Sequence, residues 1–164
     1  MPQKYKTKLK VLNMPQYSFR LSGKNEEYPD FIFDQLRKKW VKLTDEEWVR
    51  QNFVQYLIRE GGYAAGLILV EGFFEWNGLK KRADIIVHNR KGEPILIVEC
   101  KSTEVEIDDN VHDQLGEYNK NFQVPYVLFT NGYRHYAFRY LKDQNVYDFM
   151  NSIPLYNDLI AESL

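Results

Sequence analysis

The sequence predicts an α/β fold, a central mixed β-sheet flanked by helices. Three observations carry this. A helix start, Thr44 followed by Asp45-Glu46-Glu47, stands before a series of strand-forming segments. Three of those segments are separated only by short turn signals, Asn77-Gly78 and Asn89-Arg90-Lys91-Gly92-Glu93, which suit antiparallel hairpins. A second helical stretch then precedes two more strands, and a strand reached through a helical crossover usually pairs in parallel with an earlier one. The apolar, β-branched segment 95–101 falls at or near the centre of such a sheet.

In chain order, residues 1–16 read as a basic lead, and 17–21 alternate weakly as a strand would. Ser22-Gly23-Lys24-Asn25 is a turn signal. Phe31-Ile32-Phe33-Asp34 and Trp40-Val41-Lys42-Leu43 are short strand candidates. A helix is expected over 44–60, with Thr44 as N-cap, Glu47 at the capping-box position and Gly61-Gly62 as the stop. Val49, Phe53, Tyr56 and Leu57 form its apolar face. At 100° per residue Glu46 falls within that face and Glu47 outside it. Strands follow at 67–76, 82–88 and 95–101. A helix is expected over 108–121, with Val111, Leu115 and Tyr118 along it. Strands at 125–130 and 134–140 flank the tight turn Asn131-Gly132, and 151–164 is expected to form a short terminal helix after Pro154.

Composition narrows the function classes. The 164 residues suit a single domain with a real core, and 44% hydrophobic with 27% charged residues is ordinary for a globular chain. The net charge of −1 hides an asymmetry: residues 1–42 hold ten Lys/Arg against four Asp/Glu, and the remainder twelve against nineteen. A basic first third beside an acidic remainder is compatible with phosphate contacts and with metal binding, and equally with a solvated arm bearing Lys4, Lys6, Lys8 and Lys10. One cysteine excludes a disulfide framework and a cysteine-rich zinc site. His88, His112 and His135 lack metal-ligand spacing. No apolar run reaches the roughly 18–20 residues of a membrane span, and no apolar stretch follows the basic N-terminus as in a signal peptide, so a cytoplasmic location without a membrane partner is expected. No GxxxxGK[ST] sequence is present.

The chemistry concentrates at the end of the segment 95–101. Side chains alternate along a strand, so Glu99 and Lys101 share a face and Cys100 points the other way, as a core thiol. If the hairpin turn is centred near Lys91-Gly92, residues whose numbers sum to 183 face each other, which sets Asp84 opposite Glu99. Facing carboxylates are destabilising unless they share a proton or a cation. Oxygen-only ligands favour Mg²⁺ or Mn²⁺, and Lys101 beside the ion could hold an attacking water or stabilise phosphoryl charge. The triplet Glu99-Cys100-Lys101 is weak evidence alone, and a structural salt-bridge cluster explains it equally well. Gln114 and Tyr118, four apart, share a face of the next helix, where they suit phosphate or base contacts, or else an ordinary core edge.

These residues together resemble the PD-(D/E)xK nuclease superfamily with a Q-x-x-x-Y extension. Glu46-Glu47-Trp48-Val49-Arg50-Gln51, Arg82-Ala83-Asp84-Ile85, Val98-Glu99-Cys100-Lys101, Gln114-x-x-x-Tyr118-Asn119 and Thr130-Asn131-Gly132 are, in order, similar to the N-terminal nuclease domain of type I restriction enzyme R proteins. The resemblance implies a restriction-endonuclease-like fold, with helices on both faces of the sheet. It implies one nuclease-like domain over 1–164, made of a basic extension (1–43), a catalytic core (44–140) and a tail (141–164). It implies Asp84, Glu99 and the Cys100 carbonyl as Mg²⁺ ligands, with Mn²⁺ as a substitute, and Lys101 as the residue that positions water. Gln114 and Tyr118 are expected near the DNA backbone, Lys8 and Lys10 are expected to add DNA affinity, and Glu46 or Glu47, with the face argument favouring Glu46, completes the site. Ala83 stands where the superfamily name has proline. R proteins also carry an ATP-driven translocase, so a separate translocase or other restriction-modification subunits are expected partners. The expected activity is Mg²⁺-dependent DNA cleavage; the alternative is a non-catalytic nucleic-acid-binding or assembly module on the same fold.

Overall fold

The structure, a computed structural model, describes residues 8–161, the side chains of Asp109 and Asn110 excepted. Lys4 and Lys6 of the basic lead, and residues 162–164 of the expected terminal helix, lie outside the described residues. Six strands form the main sheet in the spatial order of the chain: β4 (Ile68–Trp76), β5 (Leu79–His88), β6 (Pro94–Cys100), β7 (Tyr126–Thr130), β8 (His135–Leu141) and β9 (Val146–Met150). All neighbours are antiparallel except β6 and β7, which run parallel, as the helical crossover between them requires. A small antiparallel sheet, β1 (Leu21–Ser22), β2 (Phe31–Asp34) and β3 (Lys39–Lys42), precedes helix α1 (Asp45–Arg59). Helix α2 (Asp108–Glu117) and a π-helical turn over Tyr118–Phe122 form the crossover, and α3 (Tyr156–Ala161) follows β9.

Helices cover both faces. Val49, Phe53 and Leu57 of α1 share a core with Ile85, Val87, Leu96 and Val98. Val111, Tyr118 and Phe122 share a second core with Ile86, Ile97 and Val127 on the opposite face. Strand β6 alternates between the two, burying one set of apolar residues on each side. That is why it reads as a continuous apolar run. The Thr44 side chain accepts from the Glu47 N–H at 3.0 Å, as the cap signal predicts.

Two expectations need correction. Residues 146–150, for which no element is expected, form β9, and the expected terminal helix follows Pro154 as the six-residue α3. β9 is an edge strand with Val146, Asp148 and Phe149 exposed, so it lacks the half-buried alternation that marks a strand in sequence. And Glu47 does not face solvent: it is buried at 6% exposure, while Glu46 is only half-buried. The amphipathic reading assumed one covered face. Here the small sheet covers a second, with Leu12, Ile32 and Leu43 joining the α1 core, and nearly every residue of α1 from Glu47 to Leu57 is buried.

The segment before β1 is tied down by Lys10, whose ammonium pairs with Glu104 and with Asp45 (3.3 Å) and donates to the Thr103 hydroxyl at 2.6 Å. The Glu104 hydrogen bond leads in holding the Lys10 pKa above its ordinary value. The ordering of these contributions is testable by urea unfolding. Phe53, fully buried, should cost about 3–5 kcal/mol on replacement by alanine. Lys10→Ala removes a partly exposed pair and should cost about 1 kcal/mol or less.

Candidate active site

The β5–β6 ladder pairs Ile85 with Val98, Ile86 with Ile97 and Val87 with Leu96, the register in which residue numbers sum to 183. One step on, Asp84 lies opposite Glu99. There the ladder stops, because the Asp84 Oδ2 accepts the Cys100 N–H at 2.8 Å. On the other side, β4 pairs Val70 with Ile85 and Gly72 with Ala83, so Glu71 lies opposite Asp84. Glu71, Asp84 and Glu99 thus form a row of three carboxylates across three adjacent strands.

Glu71 carries no signal in the sequence. Its φ of +54° is left-handed, a conformation that costs a non-glycine residue about 1–3 kcal/mol. Its consequence is visible in the packing. Ile68 and Val70 point into the α1 core, yet Phe74, an even number of residues away, points into the α2 core. A regular strand would keep them on one side. On β5 the same change separates Ala83 from Ile85. The hairpin therefore turns over at Glu71 and Asp84, and both acids sit at the crossing point.

The carboxylates are held from two sides. Arg50 of α1 reaches the row from one side: its Nη2 lies 2.8 Å from Asp84 Oδ1, 2.8 Å from Glu71 Oε1 and 2.9 Å from Glu46 Oε1, while its Nη1 donates to Glu47. Glu47 also pairs with Arg37 at 2.7 Å, and Glu71 with Arg82. From the other side the Tyr118 hydroxyl donates to Glu99 Oε1 at 2.6 Å. Burial pushes the Glu99 pKa up to about 7; the Tyr118 hydrogen bond opposes this, and the Asp84 charge adds to it. Burial also raises the Glu46 pKa, with the Asp84 charge next in weight. Lys101 acts on both Glu99 and Glu46, favouring their ionised forms.

The predicted residues are placed unequally. Asp84, Glu99, Lys101 and Glu46 share one electrostatic neighbourhood. Gln114 lines a small cleft with Lys101, between α2 and Phe129. The Cys100 thiol is buried in the α1 core, and burial raises its pKa well above the usual value. Tyr118 is 1% exposed, as its core-edge reading has it, and its hydroxyl serves Glu99. Lys10 is likewise engaged by Glu104 and Asp45, and Lys8 lies 3.9 Å from Glu27. Arg50, central in the structure, shows in the sequence only as one letter of a motif. A cavity of about 780 Å³ opens elsewhere, beside Trp76, Arg90 and Tyr156, and none of the predicted site residues lines it.

An exposed cationic surface does exist, on the outer face of the small sheet. Ile32 and Val41 turn inward, so their neighbours Phe31, Phe33, Trp40 and Lys42 turn outward. Arg20 lies 4.5 Å from the centre of the Phe33 ring and 5.4 Å from that of Trp40. Five residues there supply two cations and three rings, with no acid among them.

The donor chemistry at the carboxylate row suits a hard divalent cation: the side-chain ligands are all oxygen, and part-buried acids lie beside one another. Among the described residues, no three His, Cys, Asp or Glu side chains converge as they stand in a group that could hold a metal ion. The hydrogen bonds account for this, since both Asp84 oxygens are taken by Arg50 and the Cys100 N–H, and Glu99 is drawn towards Tyr118. The residues fit the ion in kind; what holds them in this arrangement is a guanidinium.

A solved structure described as the fragment structure of a putative HsdR subunit of a type I restriction enzyme, from Vibrio vulnificus YJ016, is similar in fold, with a TM-score of 0.51 at 18% identity. The similarity covers 74% of this chain and 25% of that one, so the present chain spans about a quarter of its relative. No curated protein matches the chain. No helix of the described residues is long and apolar enough to cross a membrane. The family model described as type I restriction enzyme R protein N terminus (HSDR_N) matches residues 45–154, which run from the start of α1 past β9 and hold the whole carboxylate row. The chain belongs to that family.

Proposed function

We propose that this chain is a PD-(D/E)xK endonuclease domain that hydrolyses DNA phosphodiester bonds with Mg²⁺ or Mn²⁺. The observation that carries the reading is the meeting of Asp84, Glu99 and Lys101 where the β5–β6 ladder ends, in a row of part-buried acids on adjacent strands. Asp84, Glu99 and the Cys100 carbonyl would hold the ion, which supplies Lewis-acid stabilisation of the phosphate and a more acidic water. Lys101 holds and orients the water for in-line attack. Tyr118 fixes one Glu99 oxygen by its hydrogen bond and so sets where the other points. With a pKa of about 7, Glu99 can give up its proton for a cation near neutral pH. Glu46 closes the site from α1.

The substrate strand would lie towards the cationic face rather than on Lys10. Arg20 and Lys42 meet phosphates there, and Trp40, 43% exposed, offers a ring edge or face to bases. The chain would act within a restriction-modification assembly that includes a translocase.

Cleavage is tested by incubating supercoiled plasmid with the protein and Mg²⁺ or Mn²⁺, beside an EDTA control. Metal-dependent nicking is expected, and Lys101→Ala or Asp84→Asn should lower it about 100-fold or more while the circular dichroism spectrum is kept. DNA binding without cutting by any form would overturn the reading in favour of a binding module.

The placement of DNA is tested separately, by affinity as a function of salt. Arg20→Ala and Lys42→Ala should each flatten the slope of log affinity against log salt by about one. Lys10→Ala should leave that slope unchanged.

A further inference from the structure

Arg50 is 5% exposed and faces four carboxylates. Two of these have a second cation, since Glu47 also meets Arg37 and Glu71 also meets Arg82. Glu46 and Asp84 have no other guanidinium or ammonium in salt-bridge contact among the described residues. A single nitrogen, Nη2, serves both of them and Glu71 as well, at 2.8–2.9 Å. Three carboxylate oxygens around one cationic atom is a ligand-like arrangement. Its two protons go to Glu46 and Asp84, and Glu71 is held by charge. The Nε, buried, has no partner among the described residues. The guanidinium is therefore not placed for its own best hydrogen bonds. It is placed where the acids most need positive charge. Burial works against charge on Arg50, yet Glu47 and Asp84 together outweigh it and hold its pKa above the ordinary value.

We propose that Arg50 is the resident counter-cation of this site, and that a divalent ion binds in competition with it for Asp84. The inference rests on the metal-site reading above and goes beyond it: Arg50 is a positioning residue that neutralises Glu46 and Asp84 in the metal-free protein and lowers the affinity for the metal. When the ion binds, Asp84 Oδ1 is shared or released, while Glu47 and Glu71 retain the guanidinium. Arg50 thereby sets how much metal is needed before Asp84 and Glu99 can be drawn together.

The test is thermal unfolding of the metal-free protein against added Mn²⁺ or Mg²⁺, which reads binding without requiring activity. Arg50→Gln should lower the Tm without metal, because Glu46 and Asp84 lose the salt-bridge partner they have among the described residues. Its metal-induced rise in Tm should then be about twice that of the unaltered protein or more. Arg50→Lys keeps one positive charge and should return both quantities towards the unaltered values. If Arg50→Gln does not fold without metal, refolding is titrated with Mn²⁺: recovery of folded protein supports the competition, and failure at every concentration overturns it. An equal or smaller metal-induced rise in Arg50→Gln also overturns it, leaving the nuclease reading intact if the unaltered protein is itself stabilised. If neither ion shifts the unaltered protein, the metal-site reading fails and this inference with it.

Discussion

The Arg50 guanidinium is the interaction on which the rest of the arrangement depends. Its ion pairs join the helix, the first strand of the main sheet and the second strand at once, through Glu46 and Glu47, Glu71, and Asp84. Removing one partner of a buried ion pair costs about 3–5 kcal/mol, because the charge left behind is neither solvated nor paired. Here the removal would leave Asp84 so, while Glu47 and Glu71 keep Arg37 and Arg82. The location of α1 against the sheet, the kink at Glu71 and the orientation of Asp84 are thus tied to a single buried cation.

The kink is what makes the row of acids possible. On a regular hairpin Glu71, Asp84 and Glu99 would stand on one face at neighbouring positions, and repulsion would oppose the pairing. Turning the hairpin over at Glu71 and Asp84 lets the carboxylates be served from opposite sides: Asp84 from α1, Glu99 from Tyr118 beyond α2. Left-handed backbone at a non-glycine residue persists only when its surroundings determine it. The Glu71 ion pairs with Arg50 and Arg82 provide such surroundings.

Much of this arrangement is legible in the chain's own residues. The turn at Asn89-Arg90-Lys91-Gly92 marks the β5–β6 hairpin, a bulge between Val87 and His88 shifts its pairing by one, and beyond the bulge the register is strongly specified because both faces of β6 are buried. The parallel β6–β7 pair follows from chain order alone. What is not legible depends on contacts between distant segments. Nothing in Leu69-Val70-Glu71-Gly72 signals a left-handed glutamate. The inward turn of Glu47 needs the small sheet, whose strands are two and four residues long, and whose closeness to α1 no periodicity encodes. Lys10 has the look of a solvated arm because its partners, Asp45 and Glu104, lie far along the chain. Tyr118 is foreseeable in position but not in use: helical spacing says which residues share a face, and says nothing of whether that face meets solvent or another carboxylate.

The small sheet is consequently more than an extension. The Asp34 carboxylate accepts from the N–H groups of Leu36 and Arg37 at 2.8 Å, caps the β2–β3 turn and binds the Arg37 guanidinium at 2.5 Å; Arg37 pairs with Glu47, and Glu47 with Arg50. Gln51 bridges Asp34 and Glu47 at 2.8 Å to each. This buried chain of charge-assisted hydrogen bonds runs from the turn of the small sheet to Asp84 without a gap. Such networks hold their members in one geometry and are costly when half satisfied. The outer face of the same sheet presents Arg20, Trp40 and Lys42. The surface best suited to a polyanion and the acids best suited to a cation are thus fixed relative to one another by buried ion pairs, not by a flexible link.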